Sequence, residues 1–561
     1  MQIRNGLHVF GVSLQGELRC DMLVALLRTP RGMGAGHDAS ILRTLAKDLG
    51  LAFDPLDCGL GAPYEGNCPE VLLQQSSALC RNHGDMIERM EKLVASLVTG
   101  DTQPDPAWKE TVSVLQHMKE WVEPTLDMCG GAELAAISDG LCGKFVLPGP
   151  SGAPTRGRLE VLPTGRNFYS VDTRAVPTQT AWTLGWRSAQ LLVEDYRQRH
   201  GRWPTSFALS AWGTANMRTG GDDIAQALAL IGARPRWELS SGRVTGFEIL
   251  PLAVLGRPRV DVTFRISGFF RDAFPDQIDL LDSAFRAVMQ LEDETEEDNP
   301  LAARLRREII EIERRGVSSQ DAAKQAGSRV FGSKPGAYGA GLQTLIDEGI
   351  WNTRADMADA YLEWGGYAYG NGAEGAEARS LFEERLSRVE AVIQNQDNRE
   401  HDLLDSDDYY QFEGGLASAI MKLRGEDPVI YHNDHSRPET PRIRLLSDEI
   451  GRIVRARAAN PKWITSIMRH GYKGAFEMAA TVDYLFAFSA STNAVSDHHF
   501  DMLFDAYLGD EVVRDFMQQN NPDALQEMAL RFDEALRRGL WQCRRNSVNE
   551  VLDELISGRK K

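Results

Sequence analysis

Cysteine is sparse and scattered in this chain. The seven thiols, Cys20, Cys58, Cys68, Cys80, Cys129, Cys142 and Cys543, are odd in number and never stand in C-x-x-C spacing. That pattern argues for reduced thiols and against a disulfide framework or a zinc knuckle. Long hydrophobic runs are lacking too. No window reaches the roughly eighteen apolar residues of a membrane span, and the N-terminal "MQIRNGLHVFGVSLQGELRC" lacks the basic, apolar and small-residue order of a signal peptide. The expected address is cytoplasmic, with no membrane partner. Positive charge is in deficit: 62 Lys and Arg stand against 80 Asp and Glu, a formal net charge of −18. Such a field repels nucleic acid and anionic membranes on average, so neither is expected as a partner. Familiar catalytic signatures are absent as well. "GSRVFGSK" (Gly327 to Lys334) fails as a phosphate loop because Ser333 precedes Lys334 where Lys must precede Ser or Thr. There is no G-x-S-x-G elbow and no H-E-x-x-H pair.

What is present reads as a globular protein, 42% hydrophobic and 25% charged, with a length that calls for more than one domain. From "HDASILRTLAKDLG" through "PEVLLQQSSALCRNHGDMIERMEKLVASLV", apolar residues recur at three and four positions. Residues 1–140 are therefore expected to be mainly helical. Residues 141–178 are dense in Gly, Pro and Thr and are expected to form a connecting loop. "PRVDVTFRISG" then alternates Val260, Val262, Phe264 and Ile266 against Asp261, Thr263, Arg265 and Ser267, the period of a strand. "TSFALSAWG" and "TGFEILPLAVL" are further strand candidates, with helical runs expected near 180–199, 222–232 and 273–290. Residues 179–290 are thus expected as an α/β domain, the acidic run at 291–300 as a solvated linker, and 301–561 as a mainly helical C-terminal domain. The expected fold class is mixed α/β, mostly helical, with helical regions flanking a central Rossmann-like layer.

Three stretches carry chemistry. "SAWGTANMRTGGDDIAQALALIG" runs from a strand exit through a Gly-rich turn into a helix opening at Asp222 and Asp223, the position where α/β layers bind ligands. Capping by one of these aspartates is an equal alternative, since Asp is a favoured N-cap. "RISGFFRDAFPDQIDLLD" repeats the arrangement with Arg271 and Asp272. "NREHDLLDSDDYYQFEGG" (Asn398 to Gly415) packs Glu400, His401, Asp402, Asp405, Asp407 and Asp408 beside Tyr409 and Tyr410. Such crowding of like charge requires a cation, arginines or exposure to water to relieve it. "HNDH", with His432 and His435, reads as a surface loop because Pro, Asn and Asp surround it.

The motifs "VLPTGRNFYSVDTRAVPT", "WGTANMRTGGDDIAQALALIGARP", "RISGFFRDAFPDQIDLLD", "RVFGSKPGAYGAGLQTLID", "EHDLLDSDDYYQFEGGLASAI" and "NPKWITSIMRHGYKGAFEMAATVDYLFAFSA" follow one another in an order that resembles the large subunit of the aerobic, ATP-dependent cobaltochelatases. The related magnesium chelatases share a weaker form. Members of this family are longer, so the resemblance implies that the chain corresponds to a C-terminal portion. It also implies a nitrogen–metal bond-forming ligase that inserts Co²⁺ into hydrogenobyrinic acid a,c-diamide in cobalamin biosynthesis. ATP and Mg²⁺ would be used by an AAA+ partner subunit with its integrin-like, metal-binding companion, not by this chain. Under that resemblance Asp222, Asp223, His401 and Asp405 become candidate catalytic groups, and His401, Asp405, Asp407 and Asp408 candidate metal ligands. Arg166, Asn167, Tyr169, Arg218, Arg271, Tyr409 and Tyr410 become candidate substrate contacts, the arginines as carboxylate clamps and the tyrosines against the ring face. A magnesium or nickel chelatase subunit, or a non-catalytic tetrapyrrole-binding or docking protein, remains the alternative.

Overall fold

The protein is described by a computed structural model covering residues 8–31, 34–169 and 171–557. Five of its longer N-terminal helices, Gly16–Arg28, Ile41–Asp48, His83–Thr99, Lys109–His117 and Glu123–Leu141, bury one apolar cluster of their own. Leu26, Leu45, Met90, Leu93 and Val114 lie at its centre, at the spacing seen in the sequence. The helix His83–Thr99 opens with a capping box between Asn82 and Asp85 and stops at Gly100, in the left-handed conformation.

The rest of the chain is organised by a seven-stranded sheet. Its strands are β1 (Ser206–Ala211), β2 (Asp261–Ile266), β3 (Val330–Gly332), β4 (Tyr367–Gly370), β5 (Ala373–Glu377), β6 (Ala391–Gln396) and β7 (Val429–Asp434). Their order across the sheet is β7-β6-β1-β2-β3-β4-β5. Pairing is parallel from β7 through β3 and antiparallel from β3 to β5. The chain therefore builds outward from β1 in one direction, then returns to add β6 and β7 on the other side.

This sheet corrects the expected division. Its strands β3 to β7 lie beyond the acidic run 291–300, inside the stretch expected to be a helical domain, so the α/β unit does not end at residue 290. The run itself is tied down: Glu294 pairs with the buried Arg259 at 2.7 Å and accepts from Asn299 at 2.8 Å. "TGFEILPLAVL" does supply a strand, Val244–Ile249, but it forms a separate hairpin with Ala233–Trp237 outside the main sheet. The expected helices appear as α1 (Gln179–His200), α2 (Asp222–Ile231) and Pro275–Met289.

The alternation in β2 has an unexpected use. All six of its residues are buried, because both faces of the sheet are covered. Val262, Phe264 and Ile266 face a core shared with α1 and α2, while the other face packs on helices from the C-terminal half, including Arg354–Gly365 and Gly415–Arg424. The polar half of β2 is neutralised there: Asp261 accepts from Arg329 at 2.6 Å and Arg304 at 3.0 Å. The Arg265 guanidinium lies 5.5 Å from the Tyr361 ring centre and 5.2 Å from that of Phe412.

Candidate functional site

Strands β1, β6 and β7 bring their carboxyl ends to the edge where the order of strand addition reverses, the crevice that such sheets use for ligands. From β1 the chain passes through the short helix Gly213–Thr219 and turns at Gly220 (φ 75°) and Gly221 (φ 102°). Only glycine suits the second position, where a Cβ would lie 2.7 Å from Val176 Cγ1. This turn places Asp222 and Asp223 at the start of α2, 3% and 4% exposed. The capping alternative does not hold, because Gly221 occupies the cap and neither aspartate caps the helix.

Their carboxylates instead enter a buried network. Asp222 accepts from Arg156 Nη2 at 3.2 Å, and Asp223 from Asn216 at 3.0 Å and Asn395 at 2.8 Å. Asn395, on β6, also donates to Gln226 at 2.7 Å and accepts from Asn433 of β7 at 3.1 Å. Gln226 donates to Ser188 of α1 at 2.9 Å, and Ser188 Oγ lies 2.7 Å from Nε2 of His435. Nδ1 of His435 sits 3.9 Å from Asp222 Oδ2, with no hydrogen-bond partner among the described residues.

Burial pushes the Asp222 carboxyl up to about 6, against the pull of Arg156 and with Asp397 adding to the rise. Burial likewise carries Asp223 to about 7, reinforced by Asp222 and Asp397 and opposed by the amides of Asn395 and Asn216. Burial, and then Arg156, lowers His435 to about 3, which keeps the imidazole neutral at pH 7. Asp397 goes the other way. Burial acts to raise it, but Arg218 donates Nε at 2.8 Å and Nη2 at 2.9 Å and holds the carboxyl below its ordinary value. The cluster thus contains one fixed anion beside two carboxyls poised to gain or lose protons near neutrality, the property expected of proton acceptors.

Arg156 ties these parts together. Besides Asp222 it donates to the carbonyls of Asp397 at 2.7 Å and His435 at 2.8 Å, joining the exits of β6 and β7 to the start of α2. A second buried relay adjoins it. Glu413 lies 2.9 Å from His432 Nδ1, His432 Nε2 lies 3.0 Å from Gln396 Oε1, and Gln396 donates to the carbonyl of His401 at 2.7 Å. Burial raises the Glu413 carboxyl against the stabilising effect of His432. Glu413 sits in a π-helical turn, Tyr410–Gly414, a feature often found at functional sites. At the rim, Glu400 accepts from Thr155 at 3.2 Å, and His401 Nε2 meets Tyr409 OH at 3.1 Å.

The profile described as CobN/Magnesium Chelatase matches residues 1–548. The chain belongs to this family. Among its relatives, the protein named aerobic cobaltochelatase subunit CobN from Sinorhizobium sp. is 59% identical over 98% of this chain and 44% of its own length. That of Pseudomonas aeruginosa is 56% identical over 99% and 45%. The solved catalytic subunit of cobaltochelatase from Mycobacterium tuberculosis superposes with a TM-score of 0.86 at 41% identity, covering 99% of this chain and 45% of that one. The chain thus spans a little under half the length of these family members.

Within this family member the residues singled out in the sequence fall into two groups. Asp222, Asp223 and Arg218 meet in the strand-end network, and His401 with Tyr409 stands beside it. The others are engaged elsewhere. Asp405 lies 3.4 Å from Arg457, which also binds Asp402 at 2.7 and 2.9 Å. Asp407 accepts from Gln411 at 2.9 Å, and Asp408 is exposed. Arg457 thus relieves the charge at Asp402 and Asp405. Among the described residues the one set of three ligating groups within 4.8 Å is His37, Asp38 and His117, so His401, Asp405, Asp407 and Asp408 do not converge as an ion cage. Tyr410 is buried beside Tyr484, their ring centres 6.2 Å apart. Arg271 is committed to Asp272 and to the carbonyls of Lys334 and Ala337 at 2.8 and 3.1 Å. Arg166 is exposed and donates to Leu162 O at 3.0 Å, and Asn167 is exposed in a short strand. The Tyr169 side chain lies outside the described residues. "HNDH" is also corrected: His432 and His435 are 1% and 0% exposed, because the motif ends β7 instead of forming a loop. Arg156 and Asp397 carry no spacing signal in the sequence.

The raised Asp222 value has a consequence for stability. Its neutral form is favoured in the folded protein, so its contribution is complete below the ordinary carboxyl range and is lost as pH rises through about 6. The stability difference between Asp222→Asn and the parent should therefore move in the variant's favour by on the order of 2–3 kcal/mol from the acid end of that window to above neutrality, on top of the pH-independent loss from leaving Arg156 without its counter-charge. Urea unfolding at both pH values checks this, and parallel stability curves would count against a buried titrating Asp222.

Proposed function

We propose that this chain is the tetrapyrrole-binding, metal-inserting part of a cobaltochelatase large subunit, placing Co²⁺ as substrate into hydrogenobyrinic acid a,c-diamide in cobalamin biosynthesis. The observation that carries the metal-inserting part is the buried pair Asp222 and Asp223, titrating near neutrality at the strand ends. Metal replaces hydrogen on ring nitrogen, so every N–H proton displaced needs an acceptor close by. Asp397, held ionised by Arg218, is a fixed negative charge that attracts the cation, while Asp222 and Asp223 take up protons. His401 and Glu400 occupy the rim where ring and solvent meet, and the Thr155–Arg156 segment covers the pair until the ring approaches. On this reading the parallel strands form a Rossmann-like layer whose exits present the site. Cobalt is favoured over magnesium by the relatives: those named for cobaltochelatase are 56% and 59% identical, whereas a relative named for magnesium chelatase, from Cereibacter sphaeroides, is 34% identical over 73% of the chain.

ATP hydrolysis belongs, in this proposal, to an AAA+ partner with an integrin-like companion, and the work takes place in the cytoplasm. Among the described residues no helix is long and apolar enough to cross a membrane. The test is cobalt insertion followed by absorbance with the partner subunits present, together with calorimetry on the chain alone. Insertion should require partners and ATP, while the isolated chain binds the metal-free ring and no nucleotide. Saturable micromolar ATP binding by the chain alone, or tight binding of a protoporphyrin and none of the corrin precursor, would overturn the proposal.

A further inference from the structure

A cavity of about 380 Å³ opens beside the exits of β6 and β7, lined by Arg28, Arg399, Arg437, Arg442, Arg444 and Arg452. These arginines converge from the N-terminal helix Gly16–Arg28, the β6 exit, the segment after β7 and the helix Leu446–Ile453. Five of them share four carboxylates. Arg28 pairs with Glu439 at 3.0 Å and Arg437 with Glu91 at 3.1 Å. Arg399, Arg444 and Arg452 all engage the buried Glu449, at 2.7, 2.9 and 2.8 Å, and the first two also reach Asp434. Arg442 is exposed, and its guanidinium has no hydrogen-bond or ion-pair partner among the described residues.

Six cations against four anions leave a surplus of two positive charges in a concave site, on a chain whose formal net charge is −18. Like charges brought together in this way repel unless an anion joins them. Each guanidinium carries five N–H donors in a fork that fits carboxylate or phosphate oxygens, and the four carboxylates use only part of that capacity. Arg399, Arg444 and Arg452 are held in place by one shared Glu449, so they meet a ligand already ordered. The Thr440 side chain on the wall adds a hydroxyl donor.

We propose that this cavity binds a ligand carrying two or more carboxylate or phosphate groups. Its volume lies at the small end of ligand sites, enough for a compact polyanion or for the anionic arms of a larger molecule. Its wall runs into the strand-end cluster: Thr155, Arg399, Asp434 and Ser436 are the chain neighbours of Arg156, Glu400 and His435. An anion bound here stands next to the proton-accepting pair.

The experiment is calorimetry on the full chain with pyrophosphate, citrate and uroporphyrin, at low and high salt. At least one probe should bind saturably, weaken as salt rises, and lose about tenfold or more in affinity in Arg442→Glu. Arg442→Gln should show a smaller loss in the same direction, and neither variant should melt earlier, since the side chain supports no ion pair. Preference for pyrophosphate identifies a phosphate ligand; preference for uroporphyrin identifies the carboxylate arms of a tetrapyrrole. Absence of saturable binding by all three probes, or affinities unchanged in both Arg442 variants, overturns the proposal. None of these probes depends on metal insertion, so either proposal can fail without the other.

Discussion

Arg156→Ala is expected to cost the protein about 3–5 kcal/mol, the range for breaking a buried ion pair. The guanidinium is 6% exposed and serves three acceptors at once: the Asp222 carboxylate and the carbonyls of Asp397 and His435. Water cannot replace it at a site this closed, so the two carbonyls lose their donor and the carboxylate its counter-charge. Asp222 responds by holding its proton to higher pH, which softens the loss at neutrality. The double variant Arg156→Ala/Asp222→Asn should consequently lose less than the sum of the single variants, by about 1 kcal/mol or more. Arg166→Ala is the contrast. That arginine looks equally suited to binding from sequence, yet it is exposed with a single carbonyl partner, and its loss should stay within about 0.5 kcal/mol. Chemical denaturation of the parent and the four variants decides the matter, and equal losses for Arg156 and Arg166 would remove the keystone role.

Metal insertion should depend on the charge of Asp222 and Asp223 more than on any other pair of groups. Asparagine is nearly isosteric with aspartate but accepts no proton, so each single replacement should slow insertion about 100-fold or more, within the range of general-base contributions. The pH profile sharpens the prediction. Acceptors work when deprotonated, so the rate in the parent should climb through the region of 6 to 7, where burial has placed the two carboxyls. That limb belongs to the pair together, because the Asp222 carboxylate raises Asp223, and it should flatten in the double variant. His435 cannot supply it, since its imidazole is already neutral above about 3.

The parts of the fold and site that the sequence reveals are those set by local rules. The helical spacing of Leu45 and Leu93, the alternation through Phe264, and the glycines ahead of Asp222 each report on a few neighbouring residues. Strands β3, β6 and β7 escape such rules because "VFG", "AVIQNQ" and "VIYHND" are short or polar, and they become strands only through pairing across long separations. Their Asn, Gln and His side chains resemble loop residues until the network that satisfies them is known. The acidic stretch 398–415 misleads for the same reason. Its relief comes from Arg457, more than fifty positions along the chain from Asp402. Arg156 lies in a Gly- and Pro-rich segment whose composition says only that no long element forms there.

The most direct measurement compares ring affinity with insertion rate in Asp222→Asn/Asp223→Asn, using the assembled complex and the metal-free corrin precursor. The account predicts that affinity stays within about threefold of the parent, since neither carboxylate anchors the ring's periphery, while the rate falls by about 100-fold or more. Insertion at the parent rate, or a slowing wholly explained by weaker ring binding, would show that the carboxylate pair at the strand ends does not accept the ring protons.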